Sequence, residues 1–286
     1  MNTPVSSAVS PSVISVRDLT KSYEKKNVLT GLNFDLAPGI HGLLGRNGVG
    51  KSTLLSIIAG QVKPSSGDVR VFEHKPFDNA VVMDRLALTG VDVGYPSTWR
   101  GRDILAAAAL RYPAWDQTAA DQLTEDFALD EALNTAYGKM SRGQRAMVGN
   151  IVGLASGAEL LLCDEPYVGL DTHNTDVLYR HLLDLTDSGR TVIVATHHIA
   201  DAAKLLDSAL ILGRDGKVAA HLTPEDADVY VVATGSFDKP YGALAYQRSP
   251  AGDRAILPAE TAEHITGVRV KPVDFDELID AALEVN

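Results

Sequence analysis

Apolar positions along the 286-residue chain fall into two rhythms. Ile40-His41-Gly42-Leu43-Leu44, Leu160-Leu161-Leu162-Cys163, Thr191-Val192-Ile193-Val194-Ala195 and Ala209-Leu210-Ile211-Leu212 are short apolar runs, the pattern of strands in a parallel sheet buried on both faces. Val13-Ile14-Ser15-Val16 and Leu32-Asn33-Phe34-Asp35-Leu36 are strand-like near the start, the second ending at a Pro38-Gly39 turn. Residues 95–156 follow a helical pattern instead. Within them are an Ala-rich helix at 104–110, one at 117–127 capped by Asp116, and one at 145–154 behind Ser141. A helix at 175–185 precedes the Thr191 run, and Arg214-Asp215-Gly216-Lys217 reads as a hairpin turn. Beyond Pro224 come strand-like pieces at 229–233, 256–257 and 268–270, then a final helix with a capping-box-like start at Asp274-Phe275-Asp276-Glu277. The pattern predicts an α/β fold. It has a flexible polar arm at 1–12, an N-terminal antiparallel β part, a mostly parallel sheet, a helical subdomain inserted at about 95–156, and a small C-terminal α+β extension at 224–286.

Composition admits this plan and narrows the partners. A hydrophobic content of 45% supports a sizeable core. The formal net charge of -11 argues against a broad nucleic-acid-binding surface. Cys163 stands alone, so no internal disulfide forms and a reducing compartment fits. It lies in an apolar run and reads as a small buried hydrophobe rather than a nucleophile. No run of 18 apolar residues offers a transmembrane helix, and the N-terminus lacks the basic and apolar regions of a secretion signal. A membrane role would therefore come through a separate partner.

Chemistry enters at Gly45-Arg46-Asn47-Gly48-Val49-Gly50-Lys51-Ser52-Thr53, which fits G-x-x-x-x-G-K-[ST], the P-loop. Its glycines bring backbone N–H groups close to phosphate oxygens. Lys51 can neutralise β- and γ-phosphate charge, and the Ser52 hydroxyl can ligate Mg²⁺. The strand before the loop and the helix after it supply the context of a P-loop NTPase core. The motif alone leaves a transporter ATPase, a GTPase, a helicase or a nucleotide kinase open.

Two further segments narrow that choice. The run Leu160-Leu161-Leu162-Cys163 ends in Asp164-Glu165, two carboxylates at a strand end where ligands of open α/β sheets bind. Asp164 suits Mg²⁺, and Glu165 can accept a proton from the water that attacks the γ-phosphate. Ser141-Arg142-Gly143-Gln144 opens a helix, which reads equally as a phosphate site or an ordinary N-cap with a loop glycine.

The order P-loop, helical insertion, Ser-x-Gly-Gln, apolar-Asp-Glu, Gly169-Leu170-Asp171 and Thr196-His197 resembles the ATP-binding subunit of ABC transporters. The likeness covers most of the chain and marks 13–223 as the ATPase domain. It implies that ATP and Mg²⁺ are bound, with Tyr23 stacking on adenine. Ser141, Arg142, Gly143 and Gln144 would contact the ATP of a second ATPase subunit in a head-to-tail dimer, a homodimer or a heterodimer. Asp171 would lie at that interface. His197 would be the switch histidine, a neutral imidazole bonding the γ-phosphate and holding the water; it is preferred over His198 because it directly follows Thr196. A separate polytopic membrane permease would carry the substrate, leaving this subunit cytoplasmic and peripheral on the inner face of the membrane. The middle segment, with Tyr112-Pro113-Ala114-Trp115-Asp116, is similar to the bacterial branch that includes bacitracin-resistance and other antibiotic or lipid exporters. Tyr95, Trp99 and Trp115 are either permease-docking residues or core aromatics.

The chain departs from the family pattern twice. The signature usually reads Ser-Gly-Gly-Gln, whereas here Arg142 takes the second place. The family's glutamine before the helical insertion is missing. Asp92 takes its position, as a ligand of Mg²⁺ or its waters or as an ordinary loop aspartate. Two other readings compete. A non-transport ABC protein of translation or DNA maintenance would carry two modules or a long coiled coil, and neither pattern is present. An ATP-binding regulatory module of low turnover is the alternative motivated by Asp92 and the C-terminal extension.

Overall fold

In β1 (Ile14–Tyr23) and β2 (Lys26–Leu36) polar and apolar positions alternate, with Leu32, Phe34 and Leu36 buried while Asn33 and Asp35 face out. Such strands make an antiparallel layer with one face on a core. β1 pairs antiparallel with β2 and with β4 (Ser66–Val71). The computed structural model describes residues 12–24, 26–90, 93–185, 188–197, 203–250 and 252–285.

The continuous apolar runs form a second sheet. It contains β3 (Ile40–Leu44), β5 (Leu86–Gly90), β6 (Leu160–Asp164), β7 (Thr191–Thr196), β8 (Ser208–Leu212) and β9 (Val218–Leu222). Their order is β5-β6-β7-β3-β8-β9, and every pairing is parallel except that of β8 with β9. β3, β7 and β8 are buried at every position, so both faces need cover. α1 (Lys51–Ile58) and the antiparallel layer cover one face, where Leu19, Leu32 and Val71 share a cluster with Leu54, Leu162 and Leu210. On the other face, residues of α5 (Arg142–Ala155) and α6 (Thr172–Asp184) join Leu161, Val192 and Ile211.

The helical insertion consists of α3 (Gly101–Arg111), α4 (Gln117–Asp126) and α5, preceded by the short α2 (Ala80–Met83). Asp116 caps α4, its Oδ1 accepting from Ala119 N at 3.0 Å. α5 and α6 each begin three residues earlier than their apolar pattern suggests, because Ser141 and Asp171 serve as their N-caps. Tyr95 is partly buried, edge-to-face on Tyr137 at 5.3 Å between centroids, and desolvation pushes its hydroxyl above the usual tyrosine range. Trp115 packs on the same core, whereas Trp99 stays 41% exposed.

The C-terminal part is an antiparallel sheet of β10 (Tyr230–Gly235), β11 (Ala245–Gln247), β12 (Asp253–Pro258) and β13 (Arg269–Pro272), in the order β11-β12-β10-β13. α7 (Ala259–Ala262) and α8 (Phe275–Val285) pack on it. The Glu277 carboxylate accepts from the Asp274 backbone N–H, as the capping pattern at that start requires. Among the described residues no helix is long and apolar enough to cross a membrane.

Candidate functional site

Three neighbouring strands of the parallel sheet bring the marked residues together. In the order β6, β7, β3, their C-terminal ends carry Asp164 and Glu165, Thr196 and His197, and the loop from Gly45 into α1. Glu165 N donates to Ala195 O at 2.8 Å, which ties the turn after β6 to β7. The φ of Glu165 is +50, in the left-handed region. A side chain there costs energy, and such strain gathers at functional positions.

The Glu165 carboxylate is where the contacts meet. His197 Nδ1 lies 3.0 Å from both of its oxygens. Lys51 Nζ lies 3.4 Å from Oε1, and Thr196 Oγ1 donates to Oε2 at 3.4 Å. An ionised carboxylate only accepts, so Nδ1 of His197 is the donor in this contact. Lys51 is 5% exposed and donates to Gly45 O at 2.8 Å. The Arg46 carbonyl lies 3.5 Å from the same nitrogen. A buried ammonium requires partners of this kind.

A cavity of about 980 Å³ opens over this cluster. Asn47, Gly48, Gly50, Lys51, Ser52 and Thr53 line it from the loop and α1, and Glu165, Thr196 and His197 from the strand ends. Gly45 and Val49 support the loop from below. A Cβ at Gly45 would lie 2.7 Å from Leu212 O, and Val49 is buried. At Gly48 (φ +82) a Cβ would meet nothing, so the backbone there is open to an approaching group. Tyr23 ends β1 at the cavity wall, 46% exposed, with Lys21 Nζ 4.6 Å from its ring centroid.

The signature segment sits apart from most of this lining. Ser141 Oγ accepts from Gln144 N at 3.1 Å, and Gln144 Oε1 accepts from Ser141 N at 2.9 Å, a reciprocal cap on α5. Of the four signature residues only Arg142 lines the cavity of its own chain. Gly143 packs against the loop before α6, where an added Cβ would lie 2.3 Å from Gly169 O. Asp171 caps α6, accepting from Asn174 N at 2.8 Å. Asp92, and His198 beside His197, lie outside the described residues.

Sequence reasoning missed the wall supplied by Tyr167, Thr175 and Tyr179. The rings of Tyr167 and Tyr179 stack at 4.8 Å, and burial pushes the Tyr167 hydroxyl well above the usual range. The available signal was the spacing of Thr175 and Tyr179, one helical turn apart just after Asp171.

Comparison with known proteins agrees with this geometry. Residues 29–168 match the family model described as ABC transporter. The Nod factor export ATP-binding protein I of Rhizobium leguminosarum bv. viciae is 30% identical over 224 residues, covering 77% of this chain and 72% of that protein. The bacitracin transport ATP-binding protein BcrA of Bacillus licheniformis is 30% identical over 209 residues, covering 72% and 68%. Among solved structures, an ATP-binding subunit of an ABC transporter superposes with a TM-score of 0.68 at 25% identity, over 75% of this chain and 91% of that one. A dimeric ATP-binding cassette in a post-hydrolysis state bound to ADP and Pi shares the fold, with a TM-score of 0.64 at 22% identity, over 73% and 98%.

Proposed function

The chain belongs to the ABC transporter family of ATP-binding subunits, and from that premise we propose that it hydrolyses ATP with Mg²⁺, as one half of a dimer, to drive a separate polytopic membrane permease. The observation that carries this reading is the convergence of Lys51, Glu165 and His197 under one cavity, within 3.4 Å of a shared carboxylate. The residues suit the nucleotide. The open backbone at Gly48 and the ammonium of Lys51 fit a triphosphate, and Tyr23 offers a ring face for adenine. Ser52 and Asp164 are hard oxygen donors that would hold Mg²⁺, which when bound neutralises phosphate charge.

The chemistry proceeds through the chain's own groups. Glu165 takes a proton from water as its oxygen attacks the γ-phosphorus and the bond to the β-phosphate oxygen breaks. His197 donates from Nδ1 to Glu165, so it orients the carboxylate that acts as base. Lys51 exchanges its contact with Glu165 for phosphate oxygens, freeing the carboxylate to act as base.

Ser141, Gly143 and Gln144 do not line their own cavity, which supports their serving the nucleotide of a second subunit. The named relatives act in Nod factor export and bacitracin transport, which supports export as the direction and the inner face of the membrane as the place of work. A net charge of -11 supports partners other than nucleic acid. Glu165→Gln tests the assignment. Nucleotide binding is expected to persist while phosphate release falls by roughly 10²- to 10⁴-fold; undiminished turnover removes Glu165 from the mechanism.

A further inference from the structure

Within α5 the stretch from Ala146 to Ala155 holds a single polar side chain, Asn150. It is 2% exposed, and its helix neighbours Val148, Ile151 and Val152 enter the main core. An amide in such a place costs free energy unless it is hydrogen-bonded. Asn150 Nδ2 donates to Pro166 O at 3.0 Å. A carbonyl oxygen only accepts, so the amide must present its nitrogen there. Pro166 is itself buried, and it directly follows Glu165.

The same helix holds the far end of this loop. Gly143 lies two helical turns before Asn150, on the same side of α5, and packs on Gly169. The stretch from Glu165 to Gly169 is therefore pinned on the signature helix at both ends, by a hydrogen bond beside the base and by a backbone contact three residues on. Two further glycines let the helix come this near to the sheet. A Cβ at Gly149 would lie 2.9 Å from Thr89 Oγ1, and one at Gly153 2.8 Å from Thr89 Cγ2, both on β5. Glu165 itself has a left-handed φ of +50, which persists only where the surroundings impose it. Ala195 O holds its N–H from one side, and Asn150 holds the carbonyl of the next residue from the other.

We propose that Asn150 is a positioning residue for hydrolysis. Through Pro166 it keeps the Glu165 carboxylate where it serves as base, and it ties that place to the helix that carries Ser141. This rests on Glu165 being the base, as proposed above. Asn150 does not line the cavity and acts through the loop after Glu165. The P-loop runs from β3 into α1 and makes no use of this contact. Gly143 still packs on Gly169 when the amide is removed, so the rest of the loop keeps its place in the cavity wall. The consequence falls on the chemical step rather than on nucleotide binding.

The test is a double-mutant cycle on the full-length chain, using ATP turnover, its KM, and thermal melts to verify folding. Asn150→Leu keeps the volume and removes the donor. It is expected to lower kcat about tenfold with KM for ATP unchanged, and Asn150→Ala, which adds no apolar bulk, is expected to lower kcat in the same way. In a Glu165→Gln background neither change should lower the residual single-turnover rate further. The proposal is overturned if folded Asn150 variants keep full kcat, if KM rises in step with the loss, or if the loss is the same in both backgrounds. Full kcat in the Asn150 variants beside an inactive Glu165→Gln overturns this proposal alone. If Glu165→Gln itself leaves turnover intact, the hydrolytic reading fails, and the proposal with it.

Discussion

Glu165 adopts a left-handed φ of +50, and it is this residue whose carboxylate meets Lys51 and His197. These three side chains are legible in the sequence because each sits at a fixed place in an ordered set of motifs. Tyr167, Thr175 and Tyr179 are not, since their part in the cavity wall depends on how α6 packs. The contact of His197 Nδ1 with Glu165 also needed the structure, because residues 32 positions apart meet only in the fold. A second histidine makes a prediction at this scale. His41 is buried on β3, with Nε2 donating to Ala37 O at 2.8 Å and Nδ1 accepting from Ser208 Oγ at 2.8 Å. His221 Nε2 lies 3.2 Å from the same hydroxyl. Burial lowers the pKa of both rings, partly offset at His41 by the Ala37 hydrogen bond. The unfolded chain therefore takes up protons first as pH falls. The resulting stability is full above the unfolded value of about 6.5 and is lost as pH drops towards the lowered folded values. Thermal melts at about pH 7.5 and 5.5 should show a larger drop for the native chain than for His41→Leu; equal drops would refute this assignment.

At the scale of elements, the parallel strands announce themselves as continuous apolar runs, and the caps at Asp116 and Ser141 place two of the inserted helices. β5 was harder to read. Leu86-Ala87-Leu88-Thr89-Gly90 is short and ends in a glycine, which is depleted in strands, and pairing with β6 makes it a strand. The contact between signature helix and the loop before α6 is likewise invisible in one dimension. It matters because Gly143 and Gly169 meet backbone to backbone, so Ser141 at one side and Asp171 at the other are held as a unit. Gly143→Ala would place a Cβ 2.3 Å from Gly169 O and must push the two apart. Ser141 and Asp171 do not line the chain's own cavity, whereas Arg142 and Gly169 do. Turnover is expected to fall by roughly 10²-fold, as small misplacements at catalytic surfaces do. A Gly143→Ala protein with native turnover would show that this contact has no catalytic consequence.

At the scale of the whole molecule, the sheet ends gather the P-loop, Glu165 and His197, whereas of the four signature residues, on the helical insertion, only Arg142 lines the cavity. The amphipathic pattern of the last helix was readable, but not that its two stripes enter two different cores. Sequence periodicity shows which faces are apolar, and only the tertiary arrangement shows what each face meets. The proposed composite site has Ser141, Gly143 and Gln144 serve the nucleotide of a second subunit, so the account requires two chains around the nucleotide. Sedimentation of Glu165→Gln protein, which binds but does not consume ATP in this account, tests that most directly. With Mg²⁺ and ATP the 30.5 kDa chain should sediment at about twice its mass, and with ADP as the single chain. A single-chain mass at saturating ATP would contradict the composite site.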